Sequence, residues 1–514
     1  MSFVSLEFLL FVGVVVLLYY LVPKKVQWIF LLLVSYAFYF FSGVTPLLFV
    51  VESTIVVYLC GRVMARNIEN CKKKSEAKKL NKKVLLLAVL IQFGILLMLK
   101  YYNFIAENIN SAFNLFGWSG SLPMVNILLP LGISFYTFQA IGYLIDVYRN
   151  KYKAEQNFFR MALFLSFFPQ VTQGPISRYD NLGAQLKEEH DFRYQNLKYG
   201  ALLMMWGYFK KLMIADWAGV MVVQVFDHWT EYDGLQVFIA ILVYAIQIYA
   251  DFSGGIDMAR GVAQMMGIDL IDNFKRPYFG TSVSEYWRRW HMSLTNWMRD
   301  YVFFPIALSK TSSKIGKWGR KHIGGNIGKQ LATYFPTFIT FFLIGIWHGA
   351  GWGFIGYGLY NATIIVVSMM LEPTFAKITG ALHINTSSLP WKIFQIIRTF
   401  LIMAAGKTLT RAHGVRAALG MLWKCRLMFD FDDFLTRITE MGLTMPELRV
   451  MGLSMLLFFI VSLLQENGIH IRDTLTKCPL IVRWAIYFTV LGCILVLGHY
   501  GAGYSASDFV YRNF

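Results

Sequence analysis

Charge is what this chain has least of. Asp, Glu, Lys and Arg make up 15% of its 514 residues, against roughly 25% in ordinary soluble proteins. Apolar side chains reach 56% and the mean hydropathy is +0.48. A length that would otherwise hold two or three soluble domains therefore reads as membrane. Cysteine is scarce as well: Cys60, Cys71, Cys425, Cys478 and Cys493 are odd in number and make no CxxC or Cys/His spacing. Neither a disulfide framework nor a zinc site is indicated, and no bound metal or cofactor is expected. No internal repeat or low-complexity tract is present, which weakens a repeat-built transporter. The first apolar run has no basic residue before it, and Tyr19, Tyr20 and Pro23 stand where a cleavage site needs small residues. It is expected to stay as a span.

What the chain does have is long apolar runs. A spanning helix needs about 20 such residues, and runs of this kind lie near 3–22, 26–42, 44–61, 84–103, 126–148, 196–220, 235–253, 331–347, 353–371, 392–409, 448–464 and 482–499. The expected fold is an all-α polytopic membrane protein with about 11–13 transmembrane helices. Stretches near 158–171 and 286–308, broken by Pro or charge, are expected to be re-entrant or interfacial. The net charge of +18 would suggest nucleic acid in a soluble protein, but its placement points to topology. Lys and Arg crowd 62–83 and are absent from 104–125; Lys24, Lys25, Arg149, Lys151 and Lys153 complete an alternation with the N-terminus outside. The run 72–83 also suits lipid headgroups. No nucleic-acid partner is expected. The Lys-rich link 309–329 reads as cytosolic, and 410–447 as an amphipathic surface element.

Three regions follow within a single transmembrane domain spanning 1–514: peripheral spans to 125, a middle over 126–372 where a site is expected, and C-terminal spans from 373 to 514. The middle is dense in Gly, Pro, aromatic and charged residues at membrane depth, and broken backbone is tolerated there only inside protein or along a wet cavity. Two segments carry the chemistry. In SEYWRRWHMSLTNWMRDYVFFPI (284–306), read as one helix, Trp287, Trp290, Leu294, Met298 and His291 share an arc, with Arg288 and Arg299 just beyond. That pattern fits either an interfacial helix with Trp anchors or a substrate-lining helix whose arginines meet an anion. In FFLIGIWHGAGWGFIGYGLYNA (341–362), His348 sits among Trp347, Gly349, Gly351 and Trp352. A histidine there is costly unless paired or lining a cavity, and imidazole suits proton transfer near neutral pH.

Together with PLGISFYTFQAIGYLIDVYR (130–149), FFPQVTQGPISRYDNL (167–182) and the closing DFVYRNF (508–514), these segments resemble the bacterial branch of the membrane-bound O-acyltransferase family. That branch covers alginate and peptidoglycan O-acetylation and teichoic acid D-alanylation. The resemblance implies a central tunnel and catalytic core over 126–372, with His348 as the catalytic histidine and His291 as a second one in the same tunnel. Trp287, Arg288, Trp290, Arg299, Trp347 and Asn361 are the further candidates for its lining. The alginate-type Trp/Phe-Phe-Arg-Ala stretch is met only by TLTRAHGV (408–415), where Arg411 and Ala412 fit and the aromatics do not.

The implied activity is transfer of an acyl group, acetyl first, from a cytosolic thioester such as acetyl-CoA toward hydroxyls of an exported polysaccharide. A relay or transferase protein outside is an expected partner, and the bacterial inner membrane the expected location. D-alanyl transfer from a carrier protein is the alternative within the class; a lipid-linked sugar transporter and an exporter scaffold are alternatives outside it. No Gly-x-Ser-x-Gly elbow is present, which favours direct or partner-relayed transfer over a serine acyl-enzyme.

Overall fold

The computed structural model describes residues 3–126, 129–130, 132–171, 173–426, 432–501 and 509. The described chain is 78% helical with no strand among the described residues, as expected for an all-α membrane protein. Nine of its helices are long and apolar enough to cross a membrane. Residues 127, 128 and 131 of the fifth expected span, residue 172, part of 410–447 and all of DFVYRNF but Phe509 lie outside the described residues. Described residues within 1–204 and 256–271 form one compact unit, and those within 205–255 and 272–510 form another.

The first unit holds α1 (Leu6–Leu21), α2 (Gln27–Phe41), α3 (Val44–Asn70), α4 (Lys74–Leu115), α5 (Ile133–Tyr148), α6 (Phe158–Ser166), α7 (Phe168–Val171) and the start of α8 (Tyr194–Lys210). Tyr39, Val50, Leu96, Ile133, Tyr136 and Val171 close its core. The apolar runs are helical as expected except 126–148, whose helix starts only at Ile133, and the loops around 84–103 are not loops. Helix α3 continues to Asn70 and α4 begins at Lys74, so most of the basic stretch 62–83 and of 104–125 is helix. Lys, Glu and Ala are good helix formers and need no membrane to continue one. Asn81 clasps the two helices, accepting from Asn67 at 2.9 Å and donating to the Met64 carbonyl at 3.1 Å.

Between α5 and α6, the Glu155 carboxylate accepts from Lys187 at 2.6 Å, from the Asn157 backbone at 2.9 Å and from the Tyr179 hydroxyl. Burial alone would raise this carboxyl. The hydrogen bonds outweigh it and pull the group down to about 2.

The second unit begins at the end of α8, where a π-turn over Lys211–Ala215 leads into α9 (Asp216–Asp227), followed by α10 (Gly234–Met265), whose last turns belong to the first unit. Next come α11 (Val283–Arg289), α12 (Met292–Met298), a second π-turn over Arg299–Phe303, and α13 (Phe304–Ala307). The Lys-rich link is itself a helix, α14 (Lys310–His322), laid against α15 (Gly325–His348), with Gly319 facing Gly328. The remainder is α16 (Trp352–Ala381), α17 (Leu389–Arg411), α18 (Val415–Lys424), α19 (Phe434–Thr439), α20 (Met445–Glu466), α21 (Ile471–Lys477) and α22 (Leu480–Leu497). Apolar side chains left exposed, such as Ile481 and Leu495 of α22, are the surface that lipid would cover.

Candidate active site

The segment 284–306 is not the single helix its periodicity suggests. It breaks at Trp290–His291, where His291 takes a left-handed backbone at φ 45°. The break is captured by a neighbouring stretch. The Met292 N–H donates to the Asn273 carbonyl (2.9 Å) and the Lys275 N–H to the Arg289 carbonyl (2.9 Å). The side-chain oxygen of Asn273 accepts from both the backbone N–H and the hydroxyl of Ser293, at 3.0 and 2.8 Å. Helical periodicity carries no sign of a turn held by a residue 18 positions upstream.

Those bonds also bear on the tautomer of His291. An atom that accepts from a backbone N–H is an oxygen, so the same Asn273 atom, 3.3 Å from Nδ1 of His291, accepts there too. In the neutral ring Nδ1 then carries the proton and Nε2 is the basic nitrogen. The ring is fully buried, edge-on to Phe252 at 4.8 Å and 5.5 Å from the indole of Trp347.

Trp347 joins the two histidines. Its ring lies 5.1 Å from that of His348, which in turn lies 5.8 Å from Tyr357. His348 is the last residue of α15, 4% exposed. Helices α15 and α16 cross closely here because neither has a side chain at the contact: a Cβ on Gly345 would lie 2.9 Å from the Gly358 Cα. Gly349 is required by its neighbour, since a Cβ there would sit 2.2 Å from the ring of Phe354. The glycines after His348 thus admit protein, namely the Phe354 ring and the next helix.

Of the other expected lining residues, Trp287 and Asn361 meet directly. The indole N–H donates to the Asn361 side-chain oxygen at 3.0 Å, and Asn361 donates to the Tyr357 carbonyl at 2.8 Å. This bond ties the segment bearing His291 to the helix that follows His348. Trp290 is buried and stacks on Tyr286, with centroids 5.5 Å apart. Arg288 and Arg299 are exposed, and Arg299 pairs with its neighbour Asp300 at 2.9 Å. Arg289 instead bridges Glu285 and Glu466, at 2.7 and 2.9 Å, beside Arg276. Arg411 of the TLTRAHGV stretch pairs with Asp227 at 3.0 Å.

Three nearby residues escaped the sequence reading: Asn273, Tyr357 and Lys407. Only Lys407, a charge inside an apolar run, left a signal there. Among the described residues, no three His, Cys, Asp or Glu side chains converge as a metal site would require. The open cleft lined by Lys153, Glu155, Arg160, Tyr179 and Lys187 belongs to the first unit and holds neither histidine.

The model of the membrane-bound O-acyltransferase family matches residues 34–410, which include both histidines. The chain belongs to the membrane-bound O-acyltransferase family. It is 32% identical over 89% of its length to a probable alginate O-acetylase from Pseudomonas syringae, covering 82% of that protein. It is 27% identical over 95% of its length to a peptidoglycan O-acetyltransferase from Helicobacter pylori, covering 91% of it. To a teichoic acid D-alanyltransferase from Bacillus subtilis it is 31% identical over 49% of its length and 61% of the relative. This O-acyltransferase family member is thus an acyltransferase and a multi-pass membrane protein.

Proposed function

We propose that the chain transfers an acetyl group from acetyl-CoA in the bacterial cytosol across the inner membrane toward hydroxyls of an extracytoplasmic polysaccharide, with His348 as general base. The single observation that carries this reading is the aromatic junction at Trp347, which brings two buried imidazoles from segments 57 residues apart into one neighbourhood. The relatives named for O-acetylation match 89% and 95% of the chain, and the D-alanyltransferase only 49%. That difference supports acetyl over D-alanyl.

In the proposed reaction the acceptor hydroxyl oxygen attacks the thioester carbonyl carbon. Its proton passes to His348, the C–S bond breaks, and the thiolate leaves and takes that proton. General-base help of this kind is typically about 10²–10⁴-fold. The acceptor is the polymer itself or a relay protein outside that hands the group on. His291, with its Nδ1 proton committed to Asn273, offers a basic Nε2. That supports holding the acceptor hydroxyl over polarising the thioester carbonyl, which would need a donor.

The test is acyl content of the exported polymer in cells carrying His348→Ala at equal membrane abundance. Loss of acylation supports the reading; near-normal acylation shows that another residue does the chemistry, as a sugar transporter would also predict. Orientation is tested separately with single cysteines at Ser75 and Ser119. Labelling of position 119 alone from outside intact cells fits an outside N-terminus, and labelling of position 75 overturns it.

A further inference from the structure

The second unit holds three lysines that are almost completely buried, Lys210, Lys211 and Lys407, and Lys211 and Lys407 are treated in opposite ways. Lys211, in the π-turn after α8, is 0% exposed and lies 2.8 Å from one carboxylate oxygen of Asp216 and 2.8 Å from one of Asp251. Its neighbour Lys210 donates to Ser253 at 3.0 Å. The Lys211 ammonium is thus flanked by opposite charge, as a structural charge in a low-dielectric interior requires.

Lys407, on α17, is 2% exposed and has no carboxylate within ion-pair distance among the described residues. Its ammonium lies 3.5 Å from the centre of the Trp290 indole and 5.9 Å from that of Tyr286. The face of a tryptophan attracts a cation, but it supplies no hydrogen-bond acceptor for the three N–H bonds and no opposite charge.

Helix α17 touches both histidine segments. Two residues beyond Lys407, the Leu409 carbonyl lies so near Gly353 that a Cβ there would approach it to 2.3 Å. Gly353 opens the helix that follows His348. On the other side, Trp290 under the ammonium is the residue before His291. Lys407 therefore sits on a helix that touches both histidine segments, with no carboxylate beside its amine among the described residues.

We propose that Lys407 is the anion-binding residue of this site, parked on Trp290 until a negatively charged oxygen of the substrate arrives. The inference rests on the acyl-transfer reading above and adds a ligand class to it. The oxygen comes either from a fixed anion of the donor, such as its phosphates, or from the oxyanion formed at the acyl carbon when the hydroxyl attacks.

The experiment uses the full-length protein with Lys407→Met, close in length and uncharged, and Lys407→Arg, which keeps the charge. Acyl content of the exported polymer is measured in cells. Thermal midpoint and initial thiol release from acetyl-CoA are measured on purified protein in micelles. A structural cation would be missed by the fold, whereas removing an uncompensated one leaves the fold as stable or more so. The expected result is an unchanged or higher midpoint for Lys407→Met with at least about a tenfold loss of transfer, partly restored by Lys407→Arg. A raised KM for acetyl-CoA assigns the oxygen to the donor's fixed anion; a lower kcat at unchanged KM assigns it to the oxyanion. Near-normal acylation with Met at 407, or a transfer loss matched by a fall in the midpoint, overturns the proposal. His348→Ala runs in parallel: if that variant acylates normally the assignment of His348 as general base fails, and if it is inactive while Lys407→Met is normal, only the anion site fails.

Discussion

The Lys211 cluster and the His291–His348 neighbourhood both bury polar groups in the same unit, yet their surroundings differ. Around Lys211 two carboxylates stand at 2.8 Å from the ammonium, those of Asp216 and Asp251. Around the histidines, polar side chains face aromatic rings: Lys407 over Trp290, His291 against Phe252 and Trp347, His348 against Trp347 and Tyr357. A fold spends its internal charge pairs on holding itself together. At the proposed site the groups stand against apolar walls instead, which would exclude water and strengthen whatever electrostatic contact a substrate makes.

This contrast is sharpest in the variants expected to break it. His348→Ala should lower transfer by about 10²–10⁴-fold while the thermal midpoint stays close to that of the parent, read from polymer acylation and unfolding in micelles. Asp251→Asn should do the reverse. Removing one partner of a buried ion cluster costs about 3–5 kcal/mol, so the midpoint should fall steeply, and any activity lost should track the folded fraction. If Asp251→Asn is inactive but fully stable, the division between the two regions is wrong. Asn273→Ala lies between them. It removes the acceptor for Ser293 and for Nδ1 of His291, and stranding buried donors costs about 1–3 kcal/mol. The expected outcome is a tenfold or so drop in kcat with a modest fall in stability, and an unchanged kcat would show that His291 needs no such support.

The smallest effect belongs to the first unit. Glu155 is held at about 2, below its ordinary 4.5. A depressed carboxyl contributes stability that is present above the unfolded value and is lost as pH falls from about 4.5 toward about 2. Lys187→Ala should therefore flatten the dependence of the thermal midpoint on pH in that window and leave transfer near neutral pH unaltered.

The apolar runs made most helices legible, because span length and hydropathy are local properties; the exceptions are 126–148, which is helical only from Ile133, and 196–220, which a π-turn at Lys211–Ala215 interrupts. Helix ends were less so. Helix α4 runs through Lys74–Leu115 where hydropathy marked only 84–103, since hydropathy reports the apolar part of a helix and says nothing of where good helix formers carry it onward. The two histidines were visible from their motifs. The break that positions His291 was not, because it depends on Asn273 reaching across from another part of the chain. Lys407 lies inside the expected span 392–409, and hydropathy does not say which way its side chain faces; its burial follows from α17 lying against α11 and α16, which only the packed structure reveals.

The positive φ of His291 changes how that residue has to be interrogated. At 45° the backbone occupies a region that most side chains enter at a cost, whereas Asn and His are several-fold enriched there. Alanine at this position would take away the imidazole and also push the turn toward a different conformation, dragging Trp290 and Ser293 with it. A loss of activity would then be uninterpretable. Asparagine keeps the handedness of the turn and removes the ring, while glycine relaxes the turn and removes the ring as well. Comparing the two separates what the main chain contributes at this corner from what the imidazole contributes.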